Sequence, residues 1–199
     1  PERAWEEVID GVRYVRVNCT INDQLSYLEG LVKLLRQEKV PYDVIEVFNR
    51  PLFVLPIHAA APESRLVLSL HNEMFRETKI PKEVAKQTIA VLDKIITVSD
   101  YIASHVRERY PEADSKLQTI YAGVDIDDFP KRGSAKAAAL ARDAKTALAI
   151  DSGPIILYVG RLSKSKGPDI LLDAMPEVVA RYPDAKLVMV GSQKFGSNV

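Results

Sequence analysis

At 199 residues, 47% of them hydrophobic and 27% charged, the chain has ordinary globular composition and room for one good core or for parts of two domains. Its 27 basic and 27 acidic side chains cancel, which excludes a general electrostatic pull toward nucleic acid or anionic lipid, so any anion site must be local. No apolar run approaches the roughly 20 residues that span a bilayer, and a single cysteine, Cys19, excludes an internal disulfide and a cysteine-rich zinc module and fits a reducing cytoplasm.

The chain opens with Pro1 in PERAWEEVIDG and closes on GSQKFGSNV after a strand-like run, and both ends read as cut. Between them, short β-rich apolar runs alternate with helical stretches, the signature of a parallel sheet covered by crossover helices. The predicted strands are Arg13–Val17, Asp43–Phe48, Arg65–Leu70, Lys94–Val98, Lys116–Tyr121, Ile155–Tyr158 and Lys186–Val190. Leu25, Leu28, Val32 and Leu35 predict a core-facing helix that ends before Pro41. Ser99 reads as the cap of a helix carrying Ile102 and Val106 and stopping at Pro111. That helix starts straight after a strand, and the carboxyl edges of such strands are where open α/β sheets bind ligands. Between Gly123 and Gly153 an acidic loop, a basic turn and the alanine-rich stretch Ser134–Ala149 read as a connection between domains. Gly167 and Pro168 then open a helix whose Leu171, Ala174, Met175 and Val178 form a core stripe. The expected division is residues 1–123, a connection over 124–153, and the first β-α-β of a second domain over 154–199.

The segment Val159–Gly167, VGRLSKSKG, puts Gly160 and Arg161 at the end of a strand and Lys166 at the mouth of a helix. Backbone N–H groups and the positive helix end favour an anion there. An arginine fork and a lysine charge, at about 1.5–3 kcal/mol per charge-assisted bond, would together supply roughly 3–6 kcal/mol of diphosphate binding. Taken alone, the segment fits a solvated basic loop better. There is no G-x-G-x-x-G, which removes the main support for a dinucleotide dehydrogenase. Gly191–Ser197 has the glycine spacing of a Walker A loop, but serine stands where the lysine is required, leaving a loop on the ligand side of the sheet. His71 ends LVLSLH at a strand's carboxyl edge, followed by Asn72 and Glu73, where an imidazole can donate to a sugar hydroxyl or phosphate oxygen. His58 and His105 fall within helices and read as structural. Asp125 and Asp127 form a D-x-D that could hold a divalent ion, though the stretch reads better as a loop and helix cap, so no metal site is assigned.

Five segments in order, PYDVIEVFNRP, LVLSLH, ITVSDYIASHV, IYAGVDIDDF and ILYVGRLSKSKGPDILLDA, resemble the family 4 (group 1) retaining glycosyltransferases, and VIEVFNRP and VGSQKFG resemble the bacterial spore-coat-associated branch. The resemblance implies an α/β fold of the GT-B type, two Rossmann-like domains, both incomplete here. It implies a donor diphosphate held by Gly160, Arg161 and Lys166, with His71 reaching the donor sugar and with Asn72, Ser99, Gly123 and Gly191 lining the cleft. It implies no cofactor and no metal, with a nucleotide sugar and a hydroxyl-bearing acceptor as partners, in the cytoplasm or the spore coat. Where the family's loop has asparagine before Gly123, this chain has Ala122. The family's first glycine-rich loop would precede Pro1, and its pair of glutamates eight apart would follow Val199, so that this chain alone would be inactive.

The reading is retaining, metal-independent transfer of a sugar from a nucleotide-diphosphate donor to a hydroxyl. The alternatives are a non-catalytic coat or scaffold protein of the same fold, and a sugar-nucleotide epimerase.

Overall fold

The structure is a computed structural model that describes residues 5–20 and 23–192. The chain divides into two compact units, residues 1–123 and 124–199.

The first unit starts with an antiparallel hairpin of β1 (Glu6–Ile9) and β2 (Val12–Val15), a two-stranded sheet of its own. This corrects the expected parallel strand at Arg13–Val17. Asp10 and Gly11, with φ of 51° and 80°, form the two-residue turn. Positive φ at both central positions matches the right-handed twist of the flanking strands, so Asp-Gly closes a hairpin here.

Next come α1 (Gln24–Gln37), β3 (Val44–Phe48), α2 (Val54–Ala60), β4 (Arg65–Leu70), α3 (Lys82–Val91), β5 (Lys94–Thr97), α4 (Asp100–Arg109) and β6 (Leu117–Thr119). The last four strands form one parallel sheet in the order β3-β4-β5-β6. Val47 pairs with Leu68 and Leu68 with Ile95, so one row of apolar side chains crosses the sheet. Leu66, Leu68, Leu70 and Ile95 are wholly buried, each such side chain contributing about 1.5–3 kcal/mol. The Asp23 carboxylate caps α1 by accepting from the N–H groups of Leu25 and Ser26. Leu28, Leu31 and Leu35 pack on the core, while Leu25, expected inside, is 70% exposed. At the amino edge, Asp93 accepts from the Leu66 N–H at 2.7 Å, and Lys116 donates to the carbonyls of Ile89 and Ala90 at the end of α3. A cation on those orphan carbonyls also complements the helix dipole.

The second unit contains α5 (Ala135–Ala147), capped by Ser134, and the parallel pair β7 (Ile155–Val159) and β8 (Lys186–Val190), joined by α6 (Pro168–Arg181). The α6 stripe is thinner than expected: Leu171, Met175 and Val178 are half-buried and Ala174 is exposed. Two strands offer the helix only a narrow sheet face.

Candidate functional site

In the first unit, the residues that follow the parallel strands gather at the sheet's carboxyl edge. Asn49, just past β3, takes a left-handed φ of 54°. Its N–H donates to the Ser69 carbonyl at 2.7 Å, and its Oδ1 accepts the His71 N–H at 3.1 Å. Asparagine tolerates this backbone better than most residues because its short polar side chain bonds locally. The His71 backbone is thus held from the neighbouring strand, and its imidazole lies 5.9 Å from the Phe48 ring. His71, Asn72, Glu73, Arg76, Lys79 and Tyr101 line a cavity of about 480 Å³. Ser99 does not line it. Its hydroxyl accepts the Ile102 N–H at 3.3 Å, capping α4 as expected and so fixing the first turn that carries Tyr101. Gly123 also lies outside the cavity, and a Cβ there would meet no atom within 4 Å.

Glu73 anchors the cavity, a role that sequence reasoning missed. Its side chain is 14% exposed, pairs with Arg76, accepts the Tyr101 hydroxyl at 2.5 Å and lies 3.0 Å from His105 Nε2. His105 Nδ1 in turn meets the Arg109 guanidinium, which suits an imidazole whose proton sits on Nε2 and points at Glu73. His105 is structural, as its helical position suggested, and the structure it maintains is this one. Farther along the edge, the Tyr121 hydroxyl donates to Asp100 at 2.6 Å. That bond, with help from Thr119, holds the Asp100 carboxyl below its ordinary range, and the same bond raises the Tyr121 phenol.

In the second unit, the pairing of β7 with β8 continues beyond the strands. The Gly160 N–H donates to the Val190 carbonyl at 3.0 Å, and the Leu162 N–H to the Ser192 carbonyl at 3.1 Å. A Cβ on Gly191 would sit 1.8 Å from the Gly160 oxygen, so only glycine permits this approach. The Tyr158 hydroxyl donates to the Arg161 carbonyl at 2.7 Å and fixes the loop's first turn. Lys164–Lys166 make a single 3-10 turn, and Gly167, with a left-handed φ of 66°, leads into Pro168 at the first position of α6. Arg161 and Lys166 are exposed, with Lys166 two residues before the helix begins. Gly160, Gly191, Arg161 and Lys166 therefore belong to one strand-end loop system. In the same unit, the Asp125 carboxylate accepts the Asp127 N–H at 3.0 Å and caps a 3-10 turn. Of the Walker-like run, Gly191 and Ser192 are described, and 193–197 lie outside the described residues. No group of three or more histidine, cysteine, aspartate or glutamate residues comes together among the described residues.

Residues 1–128 match Glycosyltransferase Family 4, and residues 142–198 match Glycosyl transferases group 1. The chain belongs to Glycosyltransferase Family 4. This member of the family is 37% identical over 198 residues to Spore coat protein SA of Bacillus subtilis strain 168, covering 100% of this chain and 51% of that one. It is 36% identical over 198 residues to YtcC of the same organism, covering 100% of this chain and 47% of the relative. The chain spans about half the length of the curated relatives it matches. A glycosyltransferase from Rickettsia africae ESF-5 has a similar structure, with a TM-score of 0.59 at 16% identity over 88% of this chain and 54% of that one. The fold is α/β, with GT-B-like neighbours, as the motifs implied. No helix among the described residues is long and apolar enough to cross a membrane.

Proposed function

We propose that this family member acts in retaining transfer of a sugar from a nucleotide-diphosphate donor to a hydroxyl acceptor, without a metal ion. The observation that carries this reading is the close approach of Gly191 to the Gly160 carbonyl beside Arg161 and Lys166. Strand ends that meet through glycine backbones hold the loop of Arg161 and Lys166 beside the start of α6, where the positive helix end favours an anion. As the anomeric bond to the diphosphate breaks, negative charge grows on the leaving oxygen. Arg161 and Lys166 fixed at that oxygen would act where charge develops, the part a metal plays elsewhere. His71, its backbone pinned by Asn49, would donate to the donor sugar, with Asn72 beside it.

The donor is tested by thermal denaturation of the full-length protein with UDP-, GDP- and ADP-sugars, with and without EDTA. A donor that binds only the native state adds about 2.7 kcal/mol at 100 times its Kd. The expected result is stabilisation by one class of donor that EDTA leaves unchanged. The name of the relative Spore coat protein SA supports a place at the spore coat. The absence of a shift with every donor would favour a scaffold role there over catalysis.

A further inference from the structure

We propose that Tyr101 and His105 of α4 are positioning residues for His71, acting through Glu73. The inference rests on the glycosyl-transfer reading above, in which His71 meets the donor sugar, and adds to it what holds that imidazole in place.

His71, Asn72 and Glu73 leave the carboxyl end of β4 as a bend, closed by the Met74 N–H donating to the Asn72 carbonyl at 2.7 Å. His71 and Asn72 are exposed, and Glu73 is the half-buried member, its side chain only 14% exposed. What Glu73 meets is α4. Tyr101, His105 and Arg109 are spaced four apart and stand in one row along that helix. The first two reach the same carboxylate oxygen: Glu73 Oε1 accepts the Tyr101 hydroxyl at 2.5 Å and lies 3.0 Å from His105 Nε2. Their rings meet edge to face, with centroids 6.2 Å apart, so each steadies the other. Arg109, the third, meets His105 Nδ1 and donates to the His105 carbonyl at 3.1 Å. Glu73 Oε2 pairs with Arg76. With both oxygens committed to protein donors, this carboxylate suits an anchor better than a proton acceptor for a substrate. From the other side, Asn49 Oδ1 accepts the His71 N–H at 3.1 Å. The bend is thus fastened at His71 to the end of β3 and at Glu73 to the helix that follows β5, the two strands that flank β4. A hydrogen-bond donor placed in this way is sensitive to small shifts, since a misplacement of about 1 Å can cost about a hundredfold in rate.

The test uses the full-length protein with Glu73→Ala, Glu73→Gln, Tyr101→Phe and His105→Phe, folding being checked by circular dichroism. Tyr42→Phe, which loses the same hydroxyl just before the amino end of β3, is the control. Each phenylalanine removes one donor to Glu73 and keeps an aromatic ring, whereas glutamine keeps the Oε1 that takes both donors and loses the charge facing Arg76. Three quantities are read: release of nucleoside diphosphate from UDP-glucose, GDP-mannose and ADP-glucose, affinity for the same donors by calorimetry, and amide hydrogen exchange over His71–Met74. Glu73→Ala should lower turnover about a hundredfold through misplacement of His71. Tyr101→Phe and His105→Phe should each lower it about tenfold, the weak end of a charge-assisted bond. Donor affinity should stay unchanged in all, and Glu73→Gln and the control should turn over like the wild type. The His71–Met74 amides should exchange about tenfold faster in the alanine and phenylalanine variants at the cavity. Glu73→Gln as inactive as Glu73→Ala would make the carboxylate charge the active feature and overturn a positioning role. Normal turnover in Glu73→Ala, or exchange unmoved in every variant, would overturn it as well. Turnover of no donor by the wild type counts against the glycosyl-transfer reading, whereas hydrogen exchange needs no donor and decides this inference by itself.

Discussion

Among the described residues, the strand-end loops of the two units are held by different kinds of contact. In the first, loops at the carboxyl edge rest on a four-stranded sheet whose central strand is buried along Leu66, Leu68 and Leu70. In the second, the loop rests on a two-stranded sheet where Leu157 and Val159 are 61% and 72% exposed. There the geometry comes from backbone: two glycines in contact and a tyrosine hydroxyl on a carbonyl. The contacts at the first edge are between side chains around Glu73, and those at the second are between main-chain groups and a tyrosine hydroxyl.

Mutations can break that contrast. Leu68→Ala should cost about 2–5 kcal/mol, since a wholly buried side chain leaves a cavity. Leu157→Ala in the second unit should stay within about 0.5 kcal/mol, as surface changes do. Urea midpoints check both, and equal losses would erase the distinction. Gly191→Ala comes next, at roughly 1–3 kcal/mol for a Cβ forced against the Gly160 carbonyl. Gly160→Ala should cost less, because its Cβ would meet the end of the Tyr158 side chain, at 3.2 Å from the hydroxyl, and not backbone.

How far the sequence foretold this follows the same contrast. The apolar runs at Arg65–Leu70 and Lys94–Thr97 were legible because both faces of a buried strand must be apolar. The cap at Ser99 was legible because it precedes a helical run directly. The hairpin was misread even though Asp10-Gly11 between β-rich runs is its strongest local signal. Glu73 could not be read at all: its partners Tyr101 and His105 come from α4, and no local spacing links them.

Smaller effects sharpen the comparison within the first unit. Ser99→Ala should cost about 1 kcal/mol through the lost α4 cap and loosen Tyr101 on Glu73, read by urea denaturation. The smallest effect is at Asp100 and Tyr121. The lowered Asp100 carboxyl contributes stability above its ordinary value of 3.8, lost as pH falls through the folded value. The raised Tyr121 phenol contributes below its ordinary value of 10.0, lost as pH rises through the folded value. Tyr121→Phe should therefore return the Asp100 titration, followed by NMR, toward 3.8, with any stability loss full between those two values and fading outside them as pH passes the folded values.

The most direct measurement is of the proposed sugar transfer, in the full-length protein with Arg161→Ala, alongside its urea midpoint. Loss of most turnover with an unchanged midpoint is the predicted result, since Arg161 is exposed and would act on the charge that develops on the diphosphate. Near-normal turnover would contradict a phosphate grip at this loop.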